Sequence, residues 1–150
     1  TWDDRFTPLA KPLGTNIIQL PAGPTVGLLQ EGKPWPQGGL QFRGYRLAKD
    51  GTPALLYRHS KIDITDRLTP KGDGLQRRME FSAGEGKLWV RLAVANEFLT
   101  TERGVWIGDN KLTLIAHTAS MRTSDGKAEL IAPVELKATG NTVLEVQLSW

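Results

Sequence analysis

His117 and Met121 stand four residues apart. On a helix that spacing would bring an imidazole and a thioether to one metal or haem iron. The local sequence Ile115-Ala116-His117-Thr118-Ala119-Ser120-Met121 instead closes an alternating, strand-like run. In a strand, residues four apart lie about 13 Å from each other, too far to share an ion. His59 stands alone. Asp63 and Asp66 are separated by an odd number of positions, so a strand points them to opposite faces. Paired-carboxylate catalysis needs two carboxyls converging across a cleft. Ser60, Ser82, Ser120, Ser124 and Ser149 lack the G-x-S-x-G elbow that exposes a nucleophile. Gly84-Glu85-Gly86-Lys87 has too little glycine loop to cradle a phosphate and reads as a hairpin turn. There is no cysteine, which excludes disulfides, thiol nucleophiles, thiolate metal sites and covalent haem attachment in this segment. No catalytic residue, metal ligand or cofactor site is expected.

The aromatic residues carry more promise. Trp35 lies between Pro34 and Pro36, and Trp106 lies in turn-like surroundings. An exposed indole held in a fixed direction can stack on a sugar ring or anchor a partner. Asn96, Asp109 and Asn110 are the polar residues that would read hydroxyls beside Trp35 and Trp106. The competing reading has Trp35 plugging one end of a sandwich and Trp106 covering an edge. Trp89 and Trp150 fall on strand patterns and are expected to pack.

Nineteen basic residues face 16 acidic ones, for a net charge of +3. The first 75 residues hold 10 Lys/Arg against 7 Asp/Glu, and the second 75 hold nine of each. Acids interleave with bases throughout, so the basic stripe of a nucleic-acid binder is missing. Arg43, Arg46, Arg58 and Lys61 fall on two strands joined by Asp50-Gly51, with Asp63 and Asp66 close enough to neutralise them. A solvated or salt-bridged face is expected there. No 18-residue apolar run exists, so no helix is expected to insert in a membrane. The chain opens Thr1-Trp2-Asp3-Asp4 without Met, as a single domain processed or cut from a longer chain would.

The elements that must position these residues are strands. Leu144, Val146, Leu148 and Trp150 alternate with polar residues, as do Leu88, Val90, Leu92 and Val94. Asp50-Gly51 and Asp125-Gly126 supply hairpin turns, and glycine-rich punctuation fills most remaining gaps. Leu40 and Phe42 share a parity that Tyr45 and Leu47 reverse, so a bulge at Gly44 is expected to let both sets reach the core. Leu88–Arg103 also fits helical spacing, but its aliphatic alternation favours a strand through Ala95 and then a loop. The first 40 residues, broken by six prolines, are expected to form an extended lead-in packed across the sheet, with Val26–Gln30 its one strand-like piece. The fold class is therefore all-β: an antiparallel β-sandwich, with the large curved type that resembles sugar-mutarotase domains as one form of it. The expected core is Leu88, Val90, Leu92, Val94, Leu144, Val146 and Leu148.

Phe42-Arg43-Gly44-Tyr45-Arg46-Leu47-Ala48-Lys49-Asp50-Gly51-Thr52-Pro53 continues through Leu55–Arg58, Ile62–Arg67, Gly74–Arg78 and Leu88–Ala93. This strand-turn-strand signature resembles a β-rich domain of large exported bacterial proteins that also carry c-type cytochrome modules and quinoprotein or sugar-dehydrogenase-like propellers. The resemblance names no catalytic residue, and this chain has no C-x-x-C-H. It implies a non-catalytic accessory or interaction domain in a periplasmic or extracellular protein, with neighbouring domains as partners. Carbohydrate binding is the alternative. A small hydrolase or lyase is the rival from another class, and it would need two or more of His59, His117, Asp63, Asp66, Glu97 and Glu102 in one pocket.

Overall fold

Alternating apolar side chains become twelve strands in the computed structural model, which describes residues 23–109 and 112–149. In chain order they are β1 (Val26–Gly27), β2 (Leu40–Leu47), β3 (Pro53–His59), β4 (Ile62–Lys71), β5 (Gly74–Phe81) and β6 (Lys87–Ala95), then β7 (Leu99–Glu102), β8 (Val105–Ile107), β9 (Thr113–Ile115), β10 (Ser120–Ser124), β11 (Lys127–Glu135) and β12 (Thr142–Ser149). They form a four-stranded sheet, β1-β6-β11-β10, and an eight-stranded sheet, β2-β3-β4-β5-β12-β9-β8-β7. Every pairing is antiparallel. The antiparallel sandwich expected from the alternation is the observed architecture.

The sheets close on a shared apolar layer. β6 and β11 contribute Leu88, Val90, Leu92, Leu130, Ala132 and Val134; the large sheet answers with Ile64, Met79, Phe81, Leu114, Val146 and Leu148. Burying each large aliphatic side chain contributes about 1.5–3 kcal/mol. One expected core residue is placed differently. Ile131 pairs with Arg91 while Leu130 pairs with Ala93, so β6 carries one extra residue at Leu92. This bulge reverses the parity of the strand. Ala93 and Ala95 turn into the core, and Val94 turns out to 38% exposure.

The turns form where the sequence marks them. Asp125 and Gly126 both adopt positive φ, 52° and 74°, in a two-residue link between β10 and β11. Asp50 Oδ1 accepts a hydrogen bond from the Thr52 amide at 2.9 Å and braces the β2–β3 turn. The bulge near Gly44 is present: Phe42 pairs with Tyr57 and Gly44 with Leu56, one residue being skipped. It puts both sets on one face, but Phe42, Tyr45 and Leu47 stay exposed instead of reaching the core.

Other expectations are corrected. Among the described residues nothing is helical over Leu88–Arg103: β6 is followed by β7, an extra strand rather than a plain loop. The Val26–Gln30 strand shrinks to two residues. Residues 28–39 cross the outer face of the small sheet without regular structure. Residues 1–22 of the expected lead-in, with Trp2, lie outside the described residues, as does Trp150.

Candidate functional site

Of the two readings of Trp35, the free ring and the plug, the free ring is the one the structure rules out. Trp35 is 3% exposed. Its Nε1–H donates to the Pro24 carbonyl at 2.6 Å, and the Arg91 guanidinium lies 5.3 Å from the ring centroid. Arg91 in turn donates to Glu129 at 2.8 Å, Arg122 donates to the other Glu129 oxygen at 2.7 Å, and a second Arg122 nitrogen donates to the Lys33 carbonyl at 2.7 Å. This network staples residues 28–39 to the small sheet. An enclosed indole has no face left for a sugar, so Trp35 is a structural plug.

Trp106 is half-buried on β8 and packs against the core. Its Nε1–H is buried and meets no acceptor among the described residues. Asn96 and Asp109 do come together: the Asn96 amide donates to the Asp109 carboxylate at 3.1 Å, and Lys127 Nζ donates to Asn96 Oδ1 at 2.6 Å. These three residues already satisfy one another on the surface. Asn110 lies outside the described residues.

The candidate acid–base residues are dispersed. Asp63 is exposed and forms an ion pair with Arg58, Nε to Oδ1 3.1 Å, the salt-bridged face the sequence suggested. Asp66 points to the opposite side of the same strand and is buried. His59 is buried beside Gly39, whereas His117, Glu97 and Glu102 are exposed. No group of three or more His, Asp or Glu among the described residues is arranged to hold a metal.

The sequence reading missed an exposed apolar shelf. The register places Leu40, Phe42, Tyr45 and Leu47 of β2 on the same face as Pro53, Leu55, Tyr57 and His59 of β3, and β3 continues that face to Ile62 and Ile64 of β4. Under the small sheet this face is core. On β2 it is open: Phe42 is 52%, Tyr45 68% and Leu47 64% exposed. Phe42 and Tyr57 meet edge to face, ring centroids 5.5 Å apart. The signal was legible as the parity switch at Gly44, but parity tells which face a residue takes and not whether anything covers it. β2 is also an end strand of the large sheet, so its outward backbone groups have no neighbouring strand among the described residues.

A wider cleft of about 680 Å3 lies on the small sheet between Leu29–Pro34 and the β10–β11 turn, floored by Trp89 and Ile131. Lys87 Nζ sits 5.5 Å from the centroid of the Trp89 ring.

Comparison of the chain with protein families, with curated proteins and with solved structures finds no match to any of them.

Proposed function

We propose that this chain is a non-catalytic interaction domain that docks an extended polypeptide segment alongside β2. The observation carrying the reading is the alignment of Phe42, Tyr45 and Leu47, all more than half exposed, on one face of an end strand. An added strand would complete the backbone ladder of β2 and cover those rings, the β-augmentation mode of peptide capture. Its side chains would alternate between the two faces. Those on the core side meet Phe42, Tyr45 and Leu47, and those on the other side meet Arg46. The fitting segment therefore alternates apolar and acidic residues, because cross-strand pairs of like character or opposite charge stabilise a sheet. A neighbouring domain of the same exported protein is the natural donor, and that part of the reading rests on the resemblance over residues 35–95.

The test is a titration of the isotope-labelled chain with synthetic peptides of alternating Val/Ile and Glu/Asp. The expected result is saturable amide shifts confined to β2 and β3, abolished in Phe42→Ser/Tyr45→Ser with an unchanged melting temperature. Shifts mapping to the small sheet, or surviving the double substitution, would remove β2 as the docking strand.

A further inference from the structure

On the face of the large sheet away from the core, the register draws a straight row across four strands: Arg46 opposite Ala54, Ala54 opposite Arg67, Arg67 opposite Arg78. Ala54, between Arg46 and Arg67 in this row, is fully buried. Arg46, Arg67 and Arg78, with Thr65 and Glu80, line a hollow of about 350 Å3. Within the small-molecule range this is a modest volume. Like charges placed directly opposite on adjacent strands destabilise a sheet, and Arg67 and Arg78 are such a pair. The counter-charge inside the hollow is Glu80, 3.7 Å from Arg78, with both side chains about half exposed. Such a contact contributes little. Glu145 sits opposite Arg78 on β12 but accepts a hydrogen bond from Gln76 at 2.9 Å. Asp50 in the β2–β3 turn also feels the Arg67 charge. Among the described residues the row is thus only partly compensated, and a local arrangement that opposes folding is where function is expected.

We propose that Arg46, Arg67 and Arg78 form an oxyanion-binding hollow that takes the phosphate or sulfate group of a small ligand. Guanidinium forks match the geometry of such groups and bind them through paired N–H donors. Adjacent strands lie about 4.8 Å apart, so Arg67 and Arg78 can grip one oxyanion between them. Arg46, two strands away from Arg67, forms the far wall of the hollow. Thr65 Oγ1 adds a neutral donor. The inference is carried by the outer face and does not depend on peptide docking at Phe42 and Tyr45.

The experiment titrates the intact chain with inorganic phosphate, sulfate and glucose 6-phosphate at low ionic strength, against sodium chloride of matched ionic strength. NMR follows the arginine side-chain N–H signals and the amides of β4 and β5. The expected result is saturable, one-site binding in the millimolar range or tighter. Arg67→Gln and Arg78→Gln should each weaken it at least tenfold, and Arg67→Lys, which keeps the charge but loses the fork, several-fold. If an Arg67 variant folds poorly, Arg46→Gln gives the same reading from the end strand. Tighter binding of glucose 6-phosphate than of phosphate assigns an esterified ligand; equal affinities assign the free oxyanion. Phe42→Ser/Tyr45→Ser should leave all three affinities unchanged. Shifts no larger than those with chloride, or wild-type affinity in both glutamine variants, would overturn the proposal.

Discussion

Arg77 on β5 grips Asp66 on β4 with both arms of its fork. Its Nε donates to one carboxylate oxygen at 3.1 Å and its Nη2 to the other at 2.8 Å. Both side chains are only 2% exposed, on the core-facing side of the large sheet. Asp66 lies opposite Met79 and Arg77 opposite Leu68, so the contact runs diagonally between the two strands. Burial alone would pull the guanidinium's proton affinity down; the charge and hydrogen bonds of Asp66 outweigh it and hold that affinity above the usual arginine value.

Removing one partner should therefore be severe. Asp66→Ala strands a buried cation and is expected to cost about 3–5 kcal/mol in urea denaturation. Asp66→Leu combined with Arg77→Met should recover most of that loss, since an apolar pair of similar volume asks for no charge to be buried. A double variant no better than Asp66→Ala would mean the pair does more than satisfy itself.

Tyr57 leads to a pH prediction. Burial, and then the nearby Asp66 charge, push its phenol above the ordinary value of 10.0. The folded state thus keeps a proton that the unfolded chain releases, and that contribution is fully present below pH 10 and lost as pH rises through the folded value. Stability measured from about pH 8 to 11 should fall less steeply in Tyr57→Phe than in wild type.

The bulge in β6 predicts opposite outcomes for two aliphatic positions two residues apart. Leu92→Ala should cost about 2–5 kcal/mol, and Val94→Ala under about 1 kcal/mol. Val146→Asp, which buries a second carboxylate opposite the Arg77 already paired with Asp66, should cost several kcal/mol. Equal effects at Leu92 and Val94 would place both on one face and remove the bulge.

The two indoles should also differ. Trp35→Phe loses a hydrogen bond to Pro24, while Trp106→Phe loses a donor that meets no acceptor among the described residues. By thermal denaturation the Trp35 substitution should cost about 1 kcal/mol more.

Period-two patterning made the sandwich legible, because each strand has one face buried and one face wet. The Gly44 switch was legible for the same reason: a parity reversal beside glycine leaves a bulge as its simplest solution. The β6 bulge was hidden because Leu92, Ala93, Val94 and Ala95 are all apolar, and no polar residue marks which of them faces water. β7 was hidden by its composition, four exposed residues with no alternation. Asn96 and Asp109 were named together, yet their mutual hydrogen bonds depend on where β6 ends relative to β8. The arginine row could not be seen at all. Arg46, Arg67 and Arg78 are distant in sequence, and only the register of four strands brings them into line.

β12 joins β5 on one side to β9 on the other, and its partners on β5 lie about seventy positions earlier in the chain. Before it inserts, the eight-stranded sheet is two fragments: the sequential meander β2 to β5, and the short ribbon β7 to β9. The meander can zip from one tight turn to the next, whereas joining the fragments must close a long loop first. Folding should be slow, in the millisecond-to-second range common to sandwiches, with Leu144, Val146 and Leu148 gaining their contacts late. Substitutions at those positions should then hasten unfolding far more than they delay folding.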